Sequence, residues 1–434
     1  MLTGRVVWHV NSTPRGGGVA EMLESILAYA RGGGVDVRWK VIAGDEKFFR
    51  ITKRIHNRLH GTPGDGGPLG PAEREIYEHT LAGNARELIE LVRPGDVVYL
   101  HDPQTAGLIP AVRGATAKVV WRCHVGIDAP NNLARAAWEY LRPYVEQADA
   151  YVFSRRAFVW ERLDDERLWL VAPSIDAFSA KNQDLGDDAV AAILSAIGLR
   201  AAGSEAPPGF IRRDGTLGRV TRSAELVQSE PLADGIPLVT QVSRWDRLKD
   251  PMGVLRAFAE WPPNRGSHLV LAGPSTAGVD DDPEGAKVLS EVRDARKGLP
   301  AEPRSRIHLA SLPMDDLEEN AAMVNALQRR ATVVVQKSLA EGFGLTVAEA
   351  MWKARPVVAS RVGGIQDQVV HGESGLLIDD PTDLEEFGRT VDTLINDREG
   401  ARALGEAARE RVRDHFLGTR PLVEYMRLLA GLLD

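Results

Sequence analysis

Short apolar runs alternate with amphipathic stretches along most of the chain. Residues 5–11 (RVVWHVN) read as a buried strand, and 20–31 follow with Met22, Leu23, Ile26, Leu27 and Ala30 on one helical face. Residues 35–43, 96–101 (DVVYLH), 118–124 (KVVWRCH), 150–154 (AYVFS) and 168–172 (LWLVA) continue the strand series. The pattern breaks between about 200 and 235, a stretch rich in glycine, proline and charge that predicts a linker or loop insertion. Alternation then resumes. Strands are predicted at 237–243, 268–272, 306–310, 332–336, 356–359 and 375–378, and a helix at 252–261 presents Val254, Leu255, Phe258 and Trp261 on one face. The end is helical, at 384–396, 401–415 and 421–433.

Bounded β-rich runs separated by helices favour parallel sheets covered on both faces. The pattern therefore predicts two α/β domains. The first covers 1–205, with a final helix at about 418–434 packing back on it, a linker covers 206–235, and the second domain covers 236–417. Ligands of such sheets sit at the carboxyl ends of the strands. For two facing domains, that is the cleft between them.

The chain has 434 residues, and its 44% hydrophobic content excludes a mainly disordered protein. The formal charge is −8 with no basic block, which argues against a nucleic-acid partner and requires any bound anion to be met by local cations or backbone dipoles. Cys123 is the single cysteine, so neither an intrachain disulfide nor a cysteine-based zinc cluster is possible. The amino terminus lacks the apolar core of a signal peptide and no stretch is long and apolar enough for a membrane span, so a cytoplasmic location is expected.

Four constellations could carry chemistry. EGFGLTVAE at 341–349 follows the strand VVVQ and opens a helix. Gly342 and Gly344 allow close backbone approach, the N–H groups of Gly344, Leu345 and Thr346 suit a phosphate, and Glu349 lies about one turn into the helix. The same residues also read as a helix capped by a loop carboxylate. SRWDRLK at 243–249 begins at a strand end, where Arg244 and Lys249 could neutralise a diphosphate; an isolated pair of this spacing also reads as a solvated loop. NSTPRGGG at 11–18 is a glycine loop before a helix that fits neither the dinucleotide nor the P-loop pattern. The strand ends HDPQ (101–104) and WRCH (121–124) hold His124, which could hydrogen-bond a substrate or be structural. A Cys123–His124 dyad is disfavoured because neighbours on a strand face opposite ways. The aspartates at 280–282 read as a solvated loop rather than a metal site, and no metal ligand set is expected.

The two carboxyl-terminal motifs together resemble the retaining GT-B enzymes of glycosyltransferase family 4, whose paired glutamates match Glu341 and Glu349 and whose cation clamp matches Arg244 and Lys249. VNSTPRGGGVAEML, HDPQ, VVWRCH, APSID, FFRITKRIHNRLHG and DDPEG are similar to the trehalose glycosyltransferring synthases, with the retaining trehalose phosphorylases as relatives. The resemblance implies a GT-B fold of two Rossmann-like domains and transfer of glucose from a nucleotide sugar to glucose. It implies that Arg244 and Lys249 hold the donor diphosphate, that Gly17 and Gly18 approach it, that Gly342, Phe343, Gly344, Leu345 and Thr346 line the donor, and that Glu341 contacts the transferred sugar and Glu349 the ribose. His124 would lie beside the reactive face of the sugar, with Asp102 and Gln104 toward the acceptor. No metal or other cofactor is implied; the partners are small sugars, and a homodimer is family habit.

One departure bears on the acceptor. These synthases usually read I-D-L-S after WRCH, whereas this chain reads Val125–Gly126–Ile127–Asp128. A phosphorylase, a transferase with another small sugar or cyclitol acceptor, and a nucleotide-sugar binder without turnover therefore remain alternative readings.

Overall fold

The computed structural model describes residues 2–14, 18–201, 206–261, 266–276 and 283–433. The chain divides into two compact units. The first holds the residues up to Ser174, the short stretch Glu341–Phe343 and the chain from Gly418 onward; the second holds Ile175–Ala340 and Gly344–Leu417.

The first unit is built on six parallel strands: β1 (Val7–Asn11), β2 (Val37–Val41), β3 (Val97–His101), β4 (Lys118–Cys123), β5 (Ala150–Phe153) and β6 (Leu168–Leu170). Their spatial order is β2-β1-β3-β4-β5-β6. Apolar runs buried on both faces make the inner strands β1, β3, β4 and β5, as a sheet covered by helices requires, while the edge strands β2 and β6 are partly exposed. On one face Trp8, Val10, Val98, Leu100, Val119, Trp121 and Cys123 join a core with the helices Glu46–Leu59, Pro71–Leu91 and Asn132–Val145. Asp45 starts the first of these by accepting the Phe48 N–H at 2.8 Å. On the other face Val7, Val97, Tyr99, Val120 and Val152 pack with Leu23, Ile26 and Leu27 of the helix Gly18–Gly32. The last helix, Thr419–Leu433, adds Tyr425, Leu428 and Leu429 to this same core.

The second unit opens with the helix Asp187–Ala196, followed by a hairpin, β7 (Gly209–Ile211) and β8 (Leu217–Arg219). Its sheet comprises β9 (Glu225–Val227), β10 (Leu238–Val242), β11 (His268–Pro274), β12 (Ile307–Leu312), β13 (Val333–Gln336), β14 (Val357–Ser360) and β15 (Leu376–Ile378), ordered β15-β14-β13-β10-β11-β12-β9. All pairs are parallel except β9 with β12. The strand order reverses at β10, between β13 and β11. In a doubly wound sheet such a reversal opens a crevice at the carboxyl ends, because the two following connections run to opposite sides.

The stretch at 206–235 differs from the expected linker. Phe210, Val220 and Leu232 are buried with Ile193, Leu194 and Ile197 of the second unit, and β9 closes the sheet edge. Its few apolar residues are spaced too irregularly to show a period, yet each fills a place in that core. The first unit accordingly ends at Ser174 and not near 205. No described helix is long and apolar enough to cross a membrane.

The helix Arg398–His415 packs so tightly on the turn at Ala354 that a Cβ on Gly405 would lie 2.3 Å from the Ala354 carbonyl oxygen. Backbone cannot give way as a flexible side chain does. Gly405→Ala is expected to cost about 2 kcal/mol, from overpacking; a thermal unfolding midpoint equal to that of the parent protein would contradict this.

Candidate active site

In the second unit the two connections flanking the strand reversal carry both carboxyl-terminal motifs. After β10 the chain runs through Arg244 and a turn at Arg247–Lys249, then enters the helix Pro251–Glu260. After β13 it runs through Lys337 and Gly344 into the helix Leu345–Trp352. Lys337 is fully buried and its ammonium pairs with Asp250, which caps the helix Pro251–Glu260 by accepting the Gly253 N–H at 2.9 Å. A Cβ on Gly253 would overlap both the Asp250 carboxylate and the Lys337 ammonium, so a larger residue there would have to displace the pair. Leu339 N–H donates to Leu248 O at 2.7 Å, and the Gln241 amide donates to Lys249 O at 2.8 Å. These bonds fix the cation-bearing turn to β10 and to the chain leaving β13. Arg244 itself is half-exposed and rests on Asp246, Nη2 to Oδ2 at 2.9 Å.

Gly344 has φ 83°, the left-handed region, and starts the helix Leu345–Trp352. Val347 N–H closes the first turn onto Gly344 O at 2.9 Å, and the N–H groups ahead of it lie at the positive end of the helix dipole. Thr346 Oγ1 donates to Gln336 Oε1 at 3.2 Å, holding this turn to β13. Glu349 is buried, 3% exposed. Lys181 Nζ lies 3.7 Å from its Oε1, whereas Oε2 has no hydrogen-bond partner among the described residues. Beneath it, buried Lys353 donates to Asn182 Oδ1 at 3.0 Å, Gln328 Oε1 at 2.8 Å and Glu349 O at 3.1 Å. Burial pushes the Lys353 ammonium below the usual lysine range, against the pull of the Glu349 charge.

In the first unit, parallel register and two-residue alternation gather polar side chains on one sheet face at the strand ends. His9 lies level with Tyr99, and His101 with Arg122. The imidazoles form a hydrogen-bonded row: His9 Nδ1 is 3.0 Å from His101 Nε2, and His101 Nδ1 is 3.1 Å from His124 Nε2. Arg122, wholly buried, places Nε 3.2 Å from His124 Nε2, donates from Nη2 to Val171 O at 2.9 Å and lies over the Tyr425 ring. Burial, then the Arg122 charge, lowers His9 to about 3; burial also holds His101 and His124 well below the usual histidine range. All three rings are therefore neutral near pH 7. Asp102, at φ 63°, accepts the His124 N–H at 2.7 Å, and burial pushes its carboxyl up to about 7.

The expected residues thus fall into two groups. Arg244, Lys249, Gly344, Leu345, Thr346 and Glu349 lie in the second unit. Asp102, Gln104 and His124 lie in the first, together with Glu341, Gly342 and Phe343, whose stretch places Gly342 against the His124 carbonyl. Gly18 begins the helix Gly18–Gly32, while Gly17 and the aspartates at 280–282 lie outside the described residues. Cys123 turns into the apolar core, its Sγ 3.2 Å from Val125 O, on the face opposite His124. A Cβ on Gly126 would overlap the Phe158 ring, and Asp128 pairs with Arg155 at 2.5 Å, so the altered segment after His124 is a packed structure of its own. Lys337, Asp250 and Lys181 were not anticipated, and Arg122 was noted only as part of a polar strand end. Lys337 had a signal, since it directly follows a strand at the reversal, and Arg122 shares the alternation that places His124; Asp250 and Lys181 had none beyond charge.

Removing Lys337 leaves the Asp250 carboxylate without its cation. Lys337→Met is expected to lower stability by about 3 kcal/mol, measured by urea unfolding, the usual cost of breaking a buried pair. The histidine row gives a pH dependence. Unfolded histidines titrate near their ordinary value of 6.5 while folded His9 titrates at about 3, so unfolding takes up protons in that window and stability falls as pH drops through it. Folded Asp102, titrating at about 7, acts in the opposite sense but is one group against three. Urea unfolding followed across this pH range checks it: His9→Gln should flatten the slope, and an unchanged slope would refute the assignment.

Comparison with known proteins gives the family and the fold. Residues 9–160 match the family described as "Trehalose synthase, N-terminal domain", and residues 223–411 match "Glycosyl transferases group 1". The chain is 37% identical to a trehalose synthase of Rubrobacter xylanophilus, covering 100% of this chain and 92% of that protein. It is 35% identical to a trehalose synthase of Pyrococcus horikoshii, over 99% and 91%, and 28% identical to a trehalose phosphorylase of Pleurotus sajor-caju, over 85% and 50%. In fold it is similar to a UDP-forming α,α-trehalose-phosphate synthase from Burkholderia xenovorans, solved with glucose-6-phosphate, at TM-score 0.72 and 15% identity over 99% of this chain and 100% of that one. Anabaena Alr3699/HepE, solved with UDP and glucose, aligns at TM-score 0.65 and 17% identity over 98% and 100%. Two doubly wound α/β units, a strand reversal flanked by both cation and glutamate motifs, and end-to-end identity above one third together make this chain a member of the trehalose synthase family of GT-B glycosyltransferases.

Proposed function

We propose that this protein transfers glucose from a nucleoside diphosphate glucose to glucose, with retention, forming the α,α-1,1 linkage of trehalose. The observation that carries the nucleotide part is Glu349 Oε2, a buried carboxylate oxygen without a partner among the described residues. A buried acceptor left unpaired costs roughly 1–3 kcal/mol, so the position calls for a donor, which a ribose hydroxyl supplies. In phosphorolysis no ribose is present and that oxygen would stay unpaired.

Cleaving a sugar from a diphosphate builds negative charge on the leaving oxygen and positive charge at the anomeric carbon. Arg244, Lys249 and the first-turn N–H groups after Gly344 stabilise the former, in place of a divalent ion. The departing phosphate oxygen takes the acceptor proton on the same face, which removes the need for the second carboxylate used by glycosidases. Neutral His124 contributes a hydrogen bond to the sugar without adding a charge that would oppose the developing cation. Glu341 orients the transferred sugar. Asp102 and Gln104 are assigned to the acceptor side, with Asp102 also fixing the His124 backbone.

Incubation with UDP-, ADP- and GDP-glucose plus glucose, with NMR of the product, tests this reading. Trehalose is expected from at least one donor, with full activity in the presence of EDTA. Glucose-1-phosphate released from trehalose only on adding phosphate would replace it with phosphorolysis. Arg244→Ala is expected to lower kcat about 100-fold, the scale of losing one preorganised donor to a developing anion. Glu349→Gln is expected to raise the donor KM with a smaller change in kcat.

A further inference from the structure

A cavity of about 520 Å³ opens in the second unit at the amino ends of β10, β13 and β14, the edge of the sheet opposite the donor motifs. Residues 235–237, 330–332 and 354–356, which lead into these strands, line one side, and the start of the helix Arg398–His415 lines another. Its volume is that of a small-molecule site. Four arginines, Arg330, Arg355, Arg398 and Arg402, face one carboxylate, Glu406, and Glu406 is held by Arg402 at 2.7 Å.

Arg330 donates to Ile236 O at 2.8 Å and Arg355 to Ala331 O at 3.3 Å, so these hydrogen bonds go to carbonyls, while Asp234 and Asp187 offset part of the two charges electrostatically. Arg355 Nε is buried without a partner among the described residues. Burial lowers both guanidiniums from the usual arginine range; Asp234 opposes this at Arg330 and Asp187 at Arg355, while Arg200 lowers Arg330 and Arg329 and Arg330 lower Arg355 further. In a chain of formal charge −8, this is a local concentration of positive charge inside a concavity. The helix terminus is not the attraction, since Asp397 already caps it by accepting the Gly400 N–H at 2.9 Å.

We propose that this cavity is a second, non-catalytic site that binds a phosphorylated hexose. The planar guanidinium forks match phosphate oxygens. Leu394, Ile395 and Pro237 give an apolar wall for the C–H face of a sugar. No aromatic ring is among the lining residues, so a nucleobase would find nothing to stack on, which favours a sugar phosphate over a nucleotide. The site also has a route to the donor motifs. The helix Leu345–Trp352 starts at Gly344 and ends just before Ala354 and Arg355, so about 12 Å of rigid helix joins the two ends.

The test is calorimetric titration of the whole protein with fructose 6-phosphate, UDP and glucose being present at saturation to occupy the catalytic site. Binding at one site is expected. The double variant Arg398→Ala/Arg402→Ala changes exposed side chains and should fold normally, checked by thermal unfolding; it is expected to bind at least tenfold more weakly. Arg244→Ala should bind as the parent does. No binding, or equal binding by the double variant, overturns the proposal, as does loss of binding in Arg244→Ala. Inorganic phosphate binding as tightly as the sugar phosphate would overturn the hexose assignment. The titration needs no turnover, so its outcome is separate from that of the glycosyl-transfer reading.

Discussion

A buried lysine paired with a helix-capping aspartate holds the candidate donor site together. Lys337 sits at the end of one strand, Asp250 at the start of the helix that follows another, and the two strands are neighbours at the reversal of the sheet. A sheet of this kind determines where strand ends lie but leaves the following loops free to move apart. The ion pair, with Leu339 N–H to Leu248 O and the Gln241 amide to Lys249 O, removes that freedom. Because Lys337 is excluded from water, separating the pair would strand a charge in a low dielectric, so the pair resists separation of the two loops.

The first unit meets a different requirement with the same architecture. Its strand ends carry imidazoles and one arginine packed under Tyr425, and no carboxylate pairs with Arg122 among the hydrogen bonds of the row. Burial next to that fixed positive charge keeps the rings neutral. The row can exchange hydrogen bonds without changing its charge, whereas the second unit gathers cations and aligned N–H groups. The strand ends of the first unit thus combine neutral imidazoles with one buried cation, while those of the second gather Arg244, Lys249 and the start of a helix.

The departure after His124 is part of this packing. Gly126 is required by the Phe158 ring and Asp128 is engaged by Arg155, so the segment is shaped by contacts within the first unit. An aspartate displaced by two positions along an extended chain keeps its face, since side chains alternate with a period of two. Here the glycine and the arginine decide its surroundings instead.

Much was legible in the chain itself. Valine-rich runs buried on both faces can form little besides central parallel strands, so the strands and their order along the sequence followed from composition and spacing. The alternation in VWHVN, VVYLH and KVVWRC already places His9, His101 and Arg122 on one face, because neighbouring parallel strands share a register. Glycines at 342 and 344 marked the helix start, where only a residue without a Cβ adopts φ 83° easily. Tertiary structure decided what depends on residues far apart meeting. Residues 206–235 belong to the second unit because three irregularly spaced side chains find a core contributed by the helix Asp187–Ala196, which no local period reveals. The Lys337–Asp250 pair joins residues 87 positions apart, and four arginines converge on one cavity from three separate segments. Local sequence fixes backbone periodicity over a few residues, whereas burial of a charge is a property of the whole packed neighbourhood and exists only once the chain has closed around it.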